Sequence, residues 1–321
     1  MMIWLIFGVI LVGLLAIDLG ILNKGTQTLT PKEATRNSII WVSIGLLFSV
    51  FVYFSYTHHW FGIGLDIGHQ VSGGVAMTQY ISGYLVELSL SIDNLFVFAL
   101  IFRYFKVPAQ SQYRVLFWGI IIALVLRGLM IFGGVLLIQR FHWIEYLFAA
   151  IIIYSAYRMW ASGDDGLNIE EMPMVIWLRK WMRMVHYYKE DHFFTHEGGK
   201  WHATPLFLTF LVVNIVDVIF AFDSIPAIFA ITHDEFLIFT SNIFAILGLR
   251  SLYFLLVGML DKFVHLKTSL IVILLFIGLK MLASNFIHLP SGLALIIILV
   301  ILVAGILTSV YSKKKSTDQG T

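Results

Sequence analysis

Two stretches of this chain place acids inside apolar runs. "ELSLSIDN" (Glu87 to Asn94) lies in a run that ends at Phe102, and "FLVVNIVDVIFAFDSIPAIFAI" covers 210–231. Their carboxylates are Glu87, Asp93, Asp217 and Asp223. On a helix Glu87, Ser91 and Asn94 fall at i, i+4 and i+7, one stripe of oxygen-bearing side chains, and Asn214, Asp217 and Ser224 form a similar stripe. Carboxylate, amide and hydroxyl oxygens are hard ligands, suited to Mn²⁺, Mg²⁺ or Ca²⁺ rather than to copper or thiolate-bound zinc. A charge at a bilayer centre costs about 2.5–3.5 kcal/mol, so four lone acids would cost on the order of 10–14 kcal/mol. That rivals the net stability of a whole domain. These acids must therefore be paired, protonated or bound to a cation. Arg127 and Arg250 are the charge-balancing candidates. They neutralise two of the four, and either a divalent cation or burial-favoured protonation cancels the rest.

Asp93 and Asp223 lie about 120° around an ideal helix from Glu87 and Asp217. A continuous helix does not aim all four at one point. Pro226 is the predicted helix break, because it lacks an N–H and clashes with the carbonyl of Phe222, loosening the backbone around Asp223. Broken helices at mid-membrane supply carbonyls for cations. The competing reading of the acidic set is helix–helix glue, polar pairs that only fix packing. Asp18, late in the first apolar run, reads either as an interfacial residue or as a further carboxylate on an ion path.

The elements that must carry these groups are membrane helices. Hydrophobic residues make up 59% and charged ones 12% of the 321 residues, against roughly 25% charged in a soluble domain, so the surrounding solvent must partly be lipid. At about 20 residues per crossing, the apolar runs predict an all-α polytopic protein with nine spans near 3–22, 38–57, 79–102, 115–138, 143–161, 204–231, 236–260, 268–288 and 291–311. The N-terminal run has no basic leader region and no small-residue cleavage site, and reads as a retained helix. Of the Lys and Arg residues, 17 fall on one side of this layout and only Arg140 and Lys280 on the other. By the positive-inside rule the N-terminus is outside and the C-terminus cytoplasmic.

The acidic stretches belong to a longer repeat. Glu87 matches Asp217 and Asp93 matches Asp223, both 130 residues apart. Downstream Arg127 matches Arg250, and Arg158 matches Lys280. Each unit holds three spans, an odd number, so the second enters the bilayer from the opposite side. The predicted organisation is two N-terminal helices and an outer loop (1–78), a first three-helix unit (79–161), a cytoplasmic segment (162–203), a second, inverted unit (204–288), and a last helix with a basic tail (289–321). A 3+3 inverted repeat places a binding site at mid-membrane between the units.

Segment 162–203 opens with acids, continues with a Trp- and Arg-rich amphipathic stretch that suits the membrane surface, and ends in "DHFFTHEGGKWHATP", where Gly198-Gly199 predicts a hairpin turn. His186, His192, His196 and His202 cluster there beside Glu190, Asp191 and Glu197; polar residues on a soluble hairpin are favoured over a metal-sensing site. His58, His59, Asp66 and His69 on the outer loop are a weaker candidate for receiving an ion. The absence of cysteine excludes disulfides, iron–sulfur clusters and thiolate metal sites. The net charge of +2, carried in loops, does not suit a nucleic-acid binder. Zinc-protease and phosphate-loop motifs are absent, and "GIGLD" falls in a loop, so no enzyme motif remains and no organic cofactor is expected.

"YLVELSLSIDNLFVF", "DVIFAFDSIPAIFAIT" and "TSNIFAILGLRSLYFLL" resemble the signatures of the TerC family of integral membrane proteins, in its alkali-inducible branch, and the resemblance runs from "AIDLGIL" to the last span. It implies a bacterial inner-membrane exporter of divalent metal ions, Mn²⁺ foremost, in a family named for tellurite resistance. The family's acidic positions fall on Asp18, Glu87, Asp93, Asp217 and Asp223, with Asn94 and Ser224 beside them. Asn214 stands where the family typically has a Glu, which removes a formal charge and leaves an oxygen ligand. Protons are the expected exchange partner, since the same carboxylates take them when metal leaves. The rival reading is a membrane scaffold or assembly factor that engages other proteins through 162–203.

Overall fold

The computed structural model describes residues 2–18, 30–65, 71–141, 143–161, 185, 187, 192–197, 199–257, 266–283 and 289–318. Ten α-helices and one β-hairpin are formed by these residues. Helices α1 (Met2–Ile17) and α2 (Pro31–Thr57) lead into α3 (Gly73–Tyr104), α4 (Ala109–Arg140) and α5 (Ile144–Ala161). Strands β1 (Phe194–Glu197) and β2 (Lys200–Ala203) follow, then α6 (Pro205–Phe229), α7 (Glu235–Leu247), α8 (Leu249–Val257), α9 (Leu266–Leu282) and α10 (Ser291–Asp318).

Local chemistry marks the starts. Thr30 and Glu33 close a capping box on α2 with Pro31 in the first turn. Ser72 caps α3, and the Asp234 carboxylate accepts from the backbone N–H groups of Phe236 and Leu237 to cap α7. The hairpin forms as predicted, antiparallel with Phe194 opposite Ala203 and Glu197 opposite Lys200, and Gly199 takes φ +75°. Most of segment 162–203 before it, including the amphipathic stretch and His186, lies outside the described residues.

Among the described residues, α2, α3, the Ala109–Leu137 part of α4, and α6 are long and apolar enough to cross a bilayer. Helices α7 and α8 make a fifth such span, bent by 42°. Shorter apolar helices occupy 2–17, 271–282 and 293–305. Leu5, Val9, Leu47, Leu129, Phe132 and Val300 are exposed at helix midpoints; so much outward apolar surface requires lipid around it.

Helix α3 lies at the centre, packed against α2, α6, α7, α8, α9 and α10. The helix pairings are closed under exchange of α3, α4 and α5 with α6, α7 and α9. Helix α3 packs on α7 as α4 packs on α6, α3 meets α9 as α5 meets α6, and α5 lies along α9. The α5–α9 approach depends on Gly278, where a Cβ would sit 2.7 Å from Ile153 Cγ1. End-to-end contacts keep two faces distinct. Trp4 at the start of α1 meets Phe236 and Phe239 at the start of α7, and Lys280 near the end of α9 donates to the carbonyl of Ala230 at the end of α6. On the opposite face Phe193 packs on Phe207 and Phe210 of α6, under the Arg114 guanidinium of α4.

The predicted break at Pro226 is absent. Helix α6 continues through it and ends at Phe229. The proline sits in the last turn, where the carbonyls of Pro226 and Ile228 are taken up by the N–H groups of Ala230, Ile231 and Thr232, so loss of one bond opens nothing at mid-helix. The bend lies instead at Gly248, between α7 and α8. A Cβ there would stand 3.3 Å from Trp41 Cβ, so the glycine admits α2 at close range. Its counterpart in the first unit is Val125, and α4 is unbroken.

Candidate cation site

Continuous α3 carries Glu87, Ser91 and Asn94 along one buried stripe, and continuous α6 carries Asn214, Asp217 and Ser224, also buried. Arg127 of α4 joins the two. Its Nη1 donates to Glu87 Oε1, its Nη2 lies 3.1 Å from Asp217 Oδ1, and its Nε lies 3.4 Å from Asp217 Oδ2. All three residues are almost inaccessible, at 0% for Glu87, 1% for Arg127 and 6% for Asp217. Matched acids of the two units thus meet on a single guanidinium, whose planar fork suits carboxylates from two directions.

The sequence-based expectation that each arginine would offset one acid of the duplicated set is corrected here. Arg250 pairs with Asp18: its Nη2 stands 2.6 Å from Asp18 Oδ2 and 3.2 Å from the Asp18 carbonyl. Its Nη1 donates to Tyr113 Oη at 2.7 Å, and its charge lies 4.6 Å from the Tyr113 ring centroid. Trp41 Nε1 donates to Asp18 Oδ1 at 3.2 Å. Asp18 is thus the buried partner of Arg250.

Several oxygen and nitrogen atoms around the first site have no partner. Glu87 Oε2, Ser91 Oγ, Asn94 Nδ2 and Ser224 Oγ are enclosed and unbonded, whereas buried polar atoms in folded proteins are nearly always satisfied. Asn214 donates from Nδ2 to the Phe210 carbonyl at 2.7 Å, which leaves Oδ1 as the acceptor atom of its amide. A cavity of about 20 Å³ borders Asn214, Asp217 and Arg250, with Gly119 and Ala123 of α4 in its wall. That is room for about one water. The side chains of Asp93 and Asp223 lie outside the described residues. Among the described residues no three His, Asp or Glu side chains converge in a metal-binding group. His196 instead packs edge-on against Trp201, and His59 Nδ1 lies 3.1 Å from the Ile63 carbonyl.

Three features went unread in the sequence. Tyr113 and Trp41 carry no charge and give no periodic signal. Asn242, enclosed with both amide atoms unpartnered, stands in "TSNIFAIL" as a polar residue in an apolar run, the same signal that marked Glu87.

Comparison with known proteins fits this architecture. The model of the integral membrane protein TerC family matches residues 72–317. The chain belongs to the TerC family. A relative from Escherichia coli (strain K12), "Putative membrane-bound redox modulator Alx", is 43% identical over 303 residues, 94% of this chain and 92% of the relative. An "Uncharacterized membrane protein STKORF319" of Myxococcus xanthus is 40% identical over 97% of this chain and 92% of its own. A Rickettsia bellii membrane protein is 36% identical over 97% of both. The TerC chain thus resembles Alx-type proteins along nearly its whole length. No solved structure matches it.

Proposed function

We propose that this TerC-family chain is a transporter, not an enzyme. In this reading it exports a divalent metal ion, Mn²⁺ by the family resemblance, from the bacterial cytoplasm in exchange for protons. The observation that carries the reading is the buried meeting of Glu87 and Asp217, matched acids of two units, beside the unsatisfied Ser91, Asn94 and Ser224. Asp93 and Asp223, one helical turn or two further along α3 and α6, complete the proposed ligand set. The exchange-closed pairing of the two units supports a 3+3 inverted repeat within nine spans. With the hairpin face cytoplasmic, as the Lys and Arg distribution argues, the N-terminus is outside and the C-terminus inside. The relatives' printed name, redox modulator, finds no cysteine here through which to act by thiol chemistry.

Proteoliposomes decide the matter. Purified protein should drive Mn²⁺ flux that an opposing proton gradient accelerates, with Ca²⁺ and Mg²⁺ as competitors. Asp93→Asn and Asp223→Asn should each abolish the flux at unchanged protein level; flux equal to wild type in both variants refutes the assignment. A second reading, a scaffold acting through the hairpin, is favoured by the exposure of Trp201 and Phe194. It requires that protein lacking the hairpin lose function in cells while the intact purified protein moves no ion.

A further inference from the structure

The first site already contains a cation, and it belongs to the chain. Arg127 engages three of the four carboxylate oxygens of Glu87 and Asp217, and the fourth, Glu87 Oε2, is enclosed without a partner. Two carboxylates and one guanidinium sum to a single negative charge. A divalent ion cannot reach those three oxygens while the guanidinium N–H groups hold them, and beside a buried guanidinium it meets a Coulomb repulsion that is weakly screened. An ion that takes the guanidinium's place leaves the trio's two acids neutralised.

We propose that Arg127 is a tethered competitor for the transported ion: it occupies the Glu87–Asp217 pair in the empty carrier and must leave both acids for a divalent cation to bind. The proposal rests on the transporter reading and adds the means of release. The ion is expelled when the guanidinium returns to both acids. Arg250 has no such role, since Asp18 and Tyr113 hold it away from the duplicated acids.

The test is Mn²⁺ binding by the purified full chain in detergent, read by electron paramagnetic resonance of free Mn²⁺, alongside efflux from proteoliposomes. R127Q should bind Mn²⁺ at least tenfold more tightly than wild type and release it more slowly, so that efflux falls while affinity rises. R127K, which keeps the charge and loses the fork, should lie between. R140Q, at the exposed end of α4, controls for overall charge and should match wild type. Should R127Q fail to fold, E87Q/R127Q is compared with E87Q, and the double variant should again bind more tightly. Wild-type binding with R127Q no tighter overturns the tethered competitor alone. Absence of binding in every variant overturns the transporter reading with it.

Discussion

Arg127 and Arg250 occupy matching positions in two three-helix units, yet they live in different surroundings. Arg127 stands on an unbroken helix and holds two acids drawn one from each unit. Arg250 stands just beyond a 42° bend and holds one acid from α1, outside both units, with a tyrosine ring and hydroxyl beside it. The first arrangement carries one net negative charge and lies among several unsatisfied atoms; the second is neutral, with Arg250 Nε left unpartnered. The sequence offers an arginine at both matched positions, and Asp18, just after α1, engages only one of them. On the transporter reading, Arg250 is the fixed cation and Arg127 the displaceable one.

The contrast breaks first at the arginines. Arg127→Met leaves two buried acids without a counter-charge and should cost at least as much as the loss of one partner of a buried pair, about 3–5 kcal/mol, seen as a large drop in thermal unfolding temperature in detergent. Arg250→Met leaves one acid and should cost less; equal losses would erase the distinction. Added Mn²⁺ should raise the unfolding temperature of R127Q more than that of wild type, because a ligand stabilises by its affinity for the folded state. Pairing Asp18→Asn with Arg250→Met should cost less than the sum of the single changes, by about 0.5–3 kcal/mol of coupling. Additive losses would mean that the two side chains act independently.

Smaller effects sharpen the picture. Tyr113→Phe removes a hydrogen bond to a charged group and should cost about 1.5–3 kcal/mol, with no change in Mn²⁺ affinity. Gly248→Ala pushes a Cβ against Trp41 and should cost about 1–3 kcal/mol as overpacking, while Val125→Gly in the unbent partner should cost about 1 kcal/mol through backbone entropy alone. Reversal of that order would remove Gly248 as the cause of the bend.

The sequence carried the helices and the hairpin because their signals are local. Apolar runs of span length forecast α2, α3, α4 and α6, and Gly198-Gly199 between strand-forming residues forecast the turn that Gly199 makes at φ +75°. The matched acids were also visible, as polar residues where none belongs. Pairing was not visible. Periodicity places Glu87 and Asp217 on helix faces but says nothing of which guanidinium reaches them, and Asp18 finds Arg250 across 232 residues of chain. Pro226 misled because a proline's effect depends on how much helix follows; with Phe229 the last helical residue, the Phe222 carbonyl loses a donor but little helix remains beyond to be redirected. Gly248 was overlooked because a glycine tolerates a bend without demanding one, and only the approach of Trp41 makes it necessary.

One feature of the opposite face has a mechanical consequence. Strand β2 passes into α6 with only Thr204 between them, and Thr204 Oγ1 is tied to the carbonyls of His192 and Phe193. The Arg114–Phe193 stack makes a fulcrum against α4. A small tilt of α6 about that joint sweeps the hairpin tip, roughly 13 Å away by strand rise, through a larger arc. Trp201, near the tip and open to solvent, would register any such tilt by its fluorescence once the other Trp residues are replaced.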